Sequence, residues 1–541
     1  MSPIASRRLW LAGWLVGTIG GCARPMLFPD PPPAGVTPAV AAEHPVATAP
    51  AAPVGLPPVP AVRDGLLRPR VVYPVRDQLV AVRDSNFIFG SIGSGDAELT
   101  INGTPVSVQP NGAYLAYLPV PRGTTPGYEL IVRRGTDSAS YVHPIRTPAS
   151  VASAPRPPSP PAAAAPPPPP PPGAVALGVL PGSGSDPDRP INVRPIANGT
   201  YKWLLLPGTI VERVATQGAM TRIRLDSALD AFVATSDIVE LPTARALPNR
   251  VVPNMRVVPD TGWTDVIFPL SDAPPFLIEE EADKLVVTLY STRATTDIIA
   301  YRPGDRVVRA VTWEPLHSDR VKYVIHLREA PFGYFAFHDG RQFIVRVRRT
   351  PAVTKEHPLR GITVAVDAGH PPAGSTGPTG IPESALTLPI AQALQRELER
   401  RGARVVMTRE TDSALGLQER PAAARAAGAH AFVSIHLNAL PDGVNPFNAH
   451  GTGTYYFTAH SEPLARAVQA GMVHHMQLRD QGIFYDNLAV IRPSWMPAVL
   501  AEGAFIMVPE QDAAMQTPQG QRAYAMGVAD GIEAYFRSLA R

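Results

Sequence analysis

Ile362-Thr363-Val364-Ala365-Val366-Asp367-Ala368-Gly369-His370 opens the part of the chain whose pattern decides the fold. Its first five residues are apolar or β-branched, as in a short buried strand. Leu386, Ile390, Leu394 and Leu398 then recur four apart, the spacing of one helix face. Arg404 to Thr408 reads as a second strand, Leu417 to Ala427 as a helix interrupted near its start by Pro421, and Ala431 to His436 as a third strand. Strands alternating with helices predict an α/β three-layer domain over residues 358–541, with helices covering a mixed, largely parallel sheet. In such sheets sites gather at the carboxyl ends of the strands.

Two histidines stand at such ends. His370 follows the first strand, and His436 closes Phe432-Val433-Ser434-Ile435-His436. Glu383 precedes the amphipathic helix, and the apolar run Pro497-Ala498-Val499-Leu500-Ala501 delivers Glu502 to the end of a further strand. A carboxylate leaving a buried strand faces a desolvation cost unless it has a partner or a task. Two His and one carboxylate with a position left for water form the ligand set of a catalytic Zn²⁺, and Glu502 then takes the place of a base. Asn438, two residues past His436, and Arg492, before Pro493, are candidate substrate contacts. His450, His460, His474 and His475 are rival ligands by residue type. The adjacent pair His474-His475 lies in an expected helix, where neighbours point about 100° apart and chelate poorly together.

These residues carry a resemblance. Asp367-Ala368-Gly369-His370, Glu383, Thr408-Arg409-Glu410-Thr411-Asp412, Glu419-Arg420, Ser434-Ile435-His436-Leu437-Asn438, Gly453-Thr454-Tyr455-Tyr456-Phe457 and Pro497 to Phe505 followed by Pro509-Glu510 resemble the zinc-dependent N-acetylmuramoyl-L-alanine amidases of the Amidase_3 type. The resemblance covers residues 361–541. It implies that His370, Glu383 and His436 bind zinc, that Glu502 is the catalytic acid/base, and that the substrate is peptidoglycan, cut between N-acetylmuramic acid and L-alanine during wall remodelling or daughter-cell separation. Pro371-Pro372 stand where that family commonly has glycines, which stiffens the loop. The span between Tyr456 and Val490 is too short for the inhibitory helical insertion of amidases that await an activator, so an open site is expected unless another domain covers it. A wall-binding scaffold lipoprotein with a degenerate amidase domain is the alternative class. A zinc peptidase on the same layout is a third, disfavoured by the joint motifs.

Outward from this domain, the 541 residues exceed one compact fold at roughly 150 residues per domain. The 64 prolines are about 12% of the chain against a usual level of about 5%, and they concentrate in two stretches. Residues 22–66 are rich in Pro, Ala and Val and read as a disordered tether. Residues 149–189 include the unbroken run Pro166 to Pro172 and read as a stiff polyproline II linker. Between them, residues 67–148 read as a β-sandwich: Ala97, Leu99 and Ile101 alternate with polar residues, and Asn102-Gly103 offers a hairpin turn. Residues 190–244, with strands over Trp203 to Val214 and Ala231 to Leu241, read as a small β-barrel-like module. Residues 250–350 read as a second β module that resembles the AMIN domain of periplasmic amidases, which localises its enzymes to the wall or division site. Division or wall-remodelling proteins are the partners this implies. The whole is a multidomain chain of N-terminal all-β modules joined by Pro-rich linkers to a C-terminal α/β domain.

Lysine occurs only at positions 202, 284, 322 and 355, and the net charge of +3 is too small for sequence-independent phosphate binding, so no nucleic acid is expected. Arg7 and Arg8 precede an apolar run from Leu9 to Ile19, shorter than a membrane span, as in an export signal over residues 1–21. Ile19-Gly20-Gly21-Cys22 resembles a bacterial lipobox, in which the cysteine is acylated. With Ala23 following it, the resemblance implies a lipoprotein in the periplasm, anchored at Cys22 to the outer membrane.

Overall fold

The computed structural model describes residues 52–82, 84–148, 176–186, 188–242, 246–372 and 374–540. Cys22, the expected signal segment and the run Pro166 to Pro172 lie outside the described residues. Among the described residues no helix is long and apolar enough to cross a membrane.

The C-terminal domain is built on β1 (Thr363–Ala368), α1 (Glu383–Arg400), β2 (Arg404–Met407), α2 (Glu419–Ala426), β3 (Ala431–Asn438), β4 (Thr452–Tyr456), α3 (Glu462–Met476), β5 (Asp480–Tyr485), β6 (Ala498–Phe505), α4 (Pro509–Met515) and α5 (Pro518–Ser538). The strand order is β2-β1-β3-β6-β4-β5. The first four strands are parallel, β4 runs antiparallel to β6, and β5 is parallel to β4. Side chains alternate across the strands. Val364 and Val366, Val433 and Ile435, and Val499 and Ala501 face a core closed by α1, α3 and α5. Ala365, Phe432, Ala498 and Leu500 face the other way. That second face is covered by Ala424 of the short α2, by Val490, Ile491 and Trp495, and by Trp263 and Phe335 from the preceding β module. The third layer is therefore partly supplied by another domain, because an eight-residue helix is too small to cover the sheet.

Residues 67–148 form two packed sheets, one of Arg70–Tyr73, Ser85–Ser91 and Ala113–Pro119, the other of Thr104–Val106, Glu98–Ile101, Gly127–Arg134 and Asp137–Pro144. The hairpin register pairs Ile101 with Thr104, and Asn102 and Gly103 both take positive φ, +48° and +77°, as a type I′ turn requires.

Three expectations about the N-terminal half need correction. First, the linker over residues 149–189 is too long: strand Leu177–Val179 pairs with residues 210–212 and 239–240, and three residues are too few to show a period. Second, residues 190–244 and 250–350 are not separate modules. Leu205, Ile223 and Val233 share one buried core with Val257, Val287 and Val345, and the Arg320 guanidinium binds the buried Asp226 at 2.6 and 2.9 Å. The strand expected over Trp203 to Val214 is broken into Trp203–Leu205 and Ile210–Gln217 by a turn at Gly208, whose φ is +82°; Ala231 to Leu241 likewise divides into parts of Leu229–Ala234 and Val239–Glu240. Third, the tether reading of 22–66 fails from residue 52 onward. Val54 and Leu56 pack on the C-terminal core, and the Gly55 amide donates to the His475 carbonyl at 2.8 Å. Low charge made this segment read as unable to pack by itself, but its few apolar side chains find a surface made by other parts of the chain.

The β units meet opposite poles of the α/β sheet. The second unit holds the strand starts: the Arg348 guanidinium donates to Gly428 and Ala429 carbonyls ahead of β3, and the Tyr334 amide donates to the Ser494 carbonyl ahead of β6 at 2.7 Å. The sandwich holds the strand ends: the Tyr73 hydroxyl and the Asn86 amide reach Asp442 just past β3, and Phe87, Phe89 and Leu115 pack on Phe505, Met507 and Val508 at the end of β6.

Candidate metal centre

At the strand-end pole, β1 leads into Gly369 and His370, β3 carries His436, α1 opens with Glu383, and β6 carries Glu502 opposite His436 in the ladder. His370 Nε2 lies 3.2 Å from Glu383 Oε2, and His436 Nδ1 lies 3.0 Å from Glu383 Oε1. One donor atom from each residue falls within 4.8 Å of the other two. The Glu383 carboxylate also accepts from the Leu437 amide at 3.0 Å and the Ser375 amide at 3.1 Å. Burial alone would raise its pKa, but the two imidazoles hold it well below the usual carboxylate range. For His370, burial works against the charged form and the Glu383 carboxylate outweighs it, raising the pKa. Its Nδ1 sits 3.2 Å from the Pro372 carbonyl, which fixes the ring with Nε2 inward. Two imidazole nitrogens and one buried carboxylate converging on one point fit a divalent metal of the zinc class.

Glu502 stands beside this cluster. Its Oε2 is buried and makes no hydrogen bond among the described residues. Burial first, then the charge of Glu383, raises its pKa well above the usual range. The Tyr455 phenol on β4 feels the Glu502 charge and is bonded by Asn438, so Asn438 reaches the neighbourhood expected of it. An unpaired carboxyl with an elevated pKa next to a metal-type cluster is suited to taking and returning a proton.

Sequence reasoning left the supporting residues without roles. Arg420, 2% exposed, donates to Asp367 Oδ1 and to the Ala368 carbonyl, both at 2.8 Å, and to the Pro371 carbonyl at 2.9 Å. Arg409 donates to the Ala368 and Gly369 carbonyls at 2.8 and 3.0 Å. The two guanidiniums thus grip the backbone around His370, whose φ of +57° is a conformation that non-glycine residues hold only when their surroundings impose it. Gly369 is required for a different reason: a Cβ there would lie 2.5 Å from the His436 ring. Tyr524 on α5 braces Glu502 from below, its hydroxyl donating to the Ala501 carbonyl at 2.6 Å and accepting from the Gly503 amide at 2.9 Å. Asp367 had a readable signal, being an acid inside an apolar strand; Tyr524 had none.

Arg492 is not brought to this centre. It bonds Asn487 at 2.6 Å and Asn192 of the second β unit at 3.2 Å, at the strand-start pole, because the turn before β6 enters the sheet from that side. The rival histidines are also elsewhere: His450 bonds the Pro446 carbonyl, His460 pairs with Glu280, His475 pairs with Asp530, and His474, next to it in α3, is no part of the cluster. The span from Tyr456 to Val490 holds α3, which packs Leu464, Val468 and Met472 into the core. The His370 side chain is 23% exposed, so the centre meets solvent beside the sandwich.

Residues 364–534 match the Amidase_3 family, described as N-acetylmuramoyl-L-alanine amidase. The chain is 35% identical over 192 residues to the uncharacterized protein YqiI of Bacillus subtilis, covering 34% of this chain and 90% of that protein. It is 33% identical over 203 residues to the N-acetylmuramoyl-L-alanine amidase LytC of Bacillus subtilis, covering 35% of this chain and 40% of LytC. It is 31% identical over 186 residues to the probable cell wall amidase LytH of Staphylococcus epidermidis, covering 34% of this chain and 61% of LytH. The solved N-acetylmuramoyl-L-alanine amidase from Clostridium difficile 630 aligns at 32% identity with a TM-score of 0.31, over 32% of this chain and 96% of that one.

Proposed function

We infer that this chain, which belongs through residues 364–534 to the N-acetylmuramoyl-L-alanine amidase family, hydrolyses the amide joining N-acetylmuramic acid to the L-alanine of the peptidoglycan stem peptide. The observation that carries the reading is the convergence of His370, Glu383 and His436 beside Glu502, whose buried Oε2 has no partner among the described residues. Zinc held by those three residues would supply Lewis acidity, polarising the amide carbonyl and acidifying water. Glu502 takes the proton of the attacking water and returns it to the alanine nitrogen as the C–N bond breaks, so one water is consumed per bond. Its burial keeps the transferred proton out of bulk solvent, and general acid–base help of this kind typically contributes about 10²- to 10⁴-fold. Ser375 and Leu437 amides hold Glu383 in place, and the Arg409–Arg420 grip holds His370. Acylation at Cys22, anchoring at the outer membrane and action in the periplasm during wall remodelling complete the proposal, supported by the sequence around residues 7–22 and by the resemblance of residues 250–350 to AMIN domains.

The test is mass spectrometry of products from peptidoglycan sacculi incubated with zinc-loaded full-length protein. Free stem peptides beginning with L-alanine are expected, abolished by a chelator and by Glu502→Ala, with zinc retained in that variant. Intact sacculi from a folded, zinc-loaded chain would overturn the assignment, as would stem peptides cut internally with the lactyl amide preserved.

A further inference from the structure

At the opposite pole from the metal centre, a cavity of about 190 Å³ opens where both parts of the second β unit meet the α/β domain. Tyr201, Leu204, Phe335, Phe457, Arg492 and Trp495 are among its walls, and none of His370, Glu383, His436 or Glu502 lines it. Its volume is below the roughly 300–1,000 Å³ of drug-sized sites, which limits an occupant to one or two small residues or their equivalent.

Two polar atoms in these walls lack the partners that burial ordinarily demands, and beside them a half-buried guanidinium lacks a counter-charge. The Arg492 guanidinium bonds only neutral oxygens, Asn487 Oδ1 at 2.6 Å and Asn192 Oδ1 at 3.2 Å, and stacks on Tyr201 with its Cζ 5.3 Å from the ring. Among the described residues no carboxylate pairs with it, and burial lowers its pKa. Trp495 is 3% exposed, and its indole Nε1 is buried with no acceptor among the described residues. Asp188 has its Oδ2 bound by Arg425 at 2.8 and 2.6 Å, which neutralises the carboxylate and leaves Oδ1 buried with no donor among the described residues. The vacant chemistry is thus a cation lacking an anion, a donor lacking an acceptor, and an acceptor lacking a donor, set among aliphatic and aromatic walls.

We propose that this cavity binds the C-terminal end of a short peptide. The last residue of a peptide carries a carboxylate for Arg492 and an amide N–H for Asp188 Oδ1, the carbonyl of the residue before it serves the Trp495 indole, and a small apolar side chain lies against Leu204 and Phe457. Lys202, exposed at the edge of the cavity, adds a positive charge that draws an anion inward. The site is separate from the hydrolytic centre and stands whether or not that centre cuts peptidoglycan.

Isothermal titration calorimetry on the full-length protein tests it, with N-acetyl-alanyl-alanine in its L,L and D,D forms and the C-terminal amide of each as probes. At least one free acid binds, and its amide binds at least about tenfold more weakly, because a charge-assisted bond is lost. Arg492→Gln removes the same increment and leaves the amide's weak binding unchanged. Trp495→Phe, which deletes the N–H together with part of the ring, weakens the acid by about fivefold. Arg492→Lys, with the charge retained, falls between wild type and Arg492→Gln, which guards against a fold defect. Equal binding of acid and amide, undiminished binding in folded Arg492→Gln, or no heat from either acid up to about 10 mM would each overturn the proposal.

Discussion

Arg420→Met is the most informative single change to the metal centre. In the wild-type chain Asp367 is 0% and Arg420 2% exposed, and they meet at 2.8 Å. Methionine preserves much of the arginine stem's volume but leaves the Asp367 carboxylate buried with only the Thr408 and Ser434 hydroxyls. Breaking a buried pair from one side costs about 3–5 kcal/mol, and the Pro371 and Leu415 carbonyls also lose the guanidinium, while Ala368 keeps Arg409 as its donor. At 1.4 kcal/mol per tenfold, amide exchange over residues 363–372 accelerates by roughly 100- to 3,000-fold under native conditions. The His370 loop loosens with it, and zinc affinity falls by about 10- to 100-fold. Adding Asp367→Asn removes the stranded charge, so Asp367→Asn/Arg420→Met recovers most of the exchange protection, since replacing both partners is often close to neutral. Exchange mass spectrometry reads the local loss without requiring a multidomain chain to unfold in one step. The reasoning fails if Arg420→Met exchanges within about fivefold of wild type, or if the double variant is no better than the single one.

Other consequences are equally specific. Gly369→Ala drives a Cβ to 2.5 Å from the His436 ring, so zinc content at a fixed metal concentration drops while the overall circular dichroism stays native. Tyr524→Phe strands the buried Gly503 amide and costs about 1–3 kcal/mol; turnover on sacculi falls with zinc retained, and unchanged turnover would remove Tyr524 as a positioning residue for Glu502. Asp512 accepts from Thr379 and Gln516, and burial raises its pKa from 3.8 to about 6. The native state then binds this proton more tightly than the unfolded chain, so this group's contribution to stability is greatest below about pH 4 and declines by about 3 kcal/mol as pH rises to about 6. Asp512→Asn abolishes that decline, and urea midpoints of both proteins at pH 4.5 and 7 measure it.

The sandwich adds a second layer of support around the centre. Its Tyr73 and Asn86 hold Asp442, four residues beyond Asn438, and its aromatic patch holds the chain just after Glu502. The second β unit meanwhile covers the sheet face that α2 leaves bare. The sequence marked both regions as β modules without showing what they support, since alternation reports that a strand has an inside and an outside but not what other domain packs on it.

Periodicity and isolated polar residues at apolar strand ends were enough, from sequence alone, to place His370, Glu383, His436 and Glu502 on an alternating α/β layout. Strand patterns repeat locally, and an acid or imidazole set against a hydrophobic run stands out because burying it is costly. Only the tertiary structure decided that residues 177–348 form one unit, that chain from residue 52 onward docks on the core, and that Arg492 belongs to a different cavity from the metal centre. Those outcomes depend on contacts such as Asn192 with Arg492, Asp226 with Arg320 and Gly55 with His475. Their partners lie tens to hundreds of residues apart, and no local period encodes which distant surface a segment will meet.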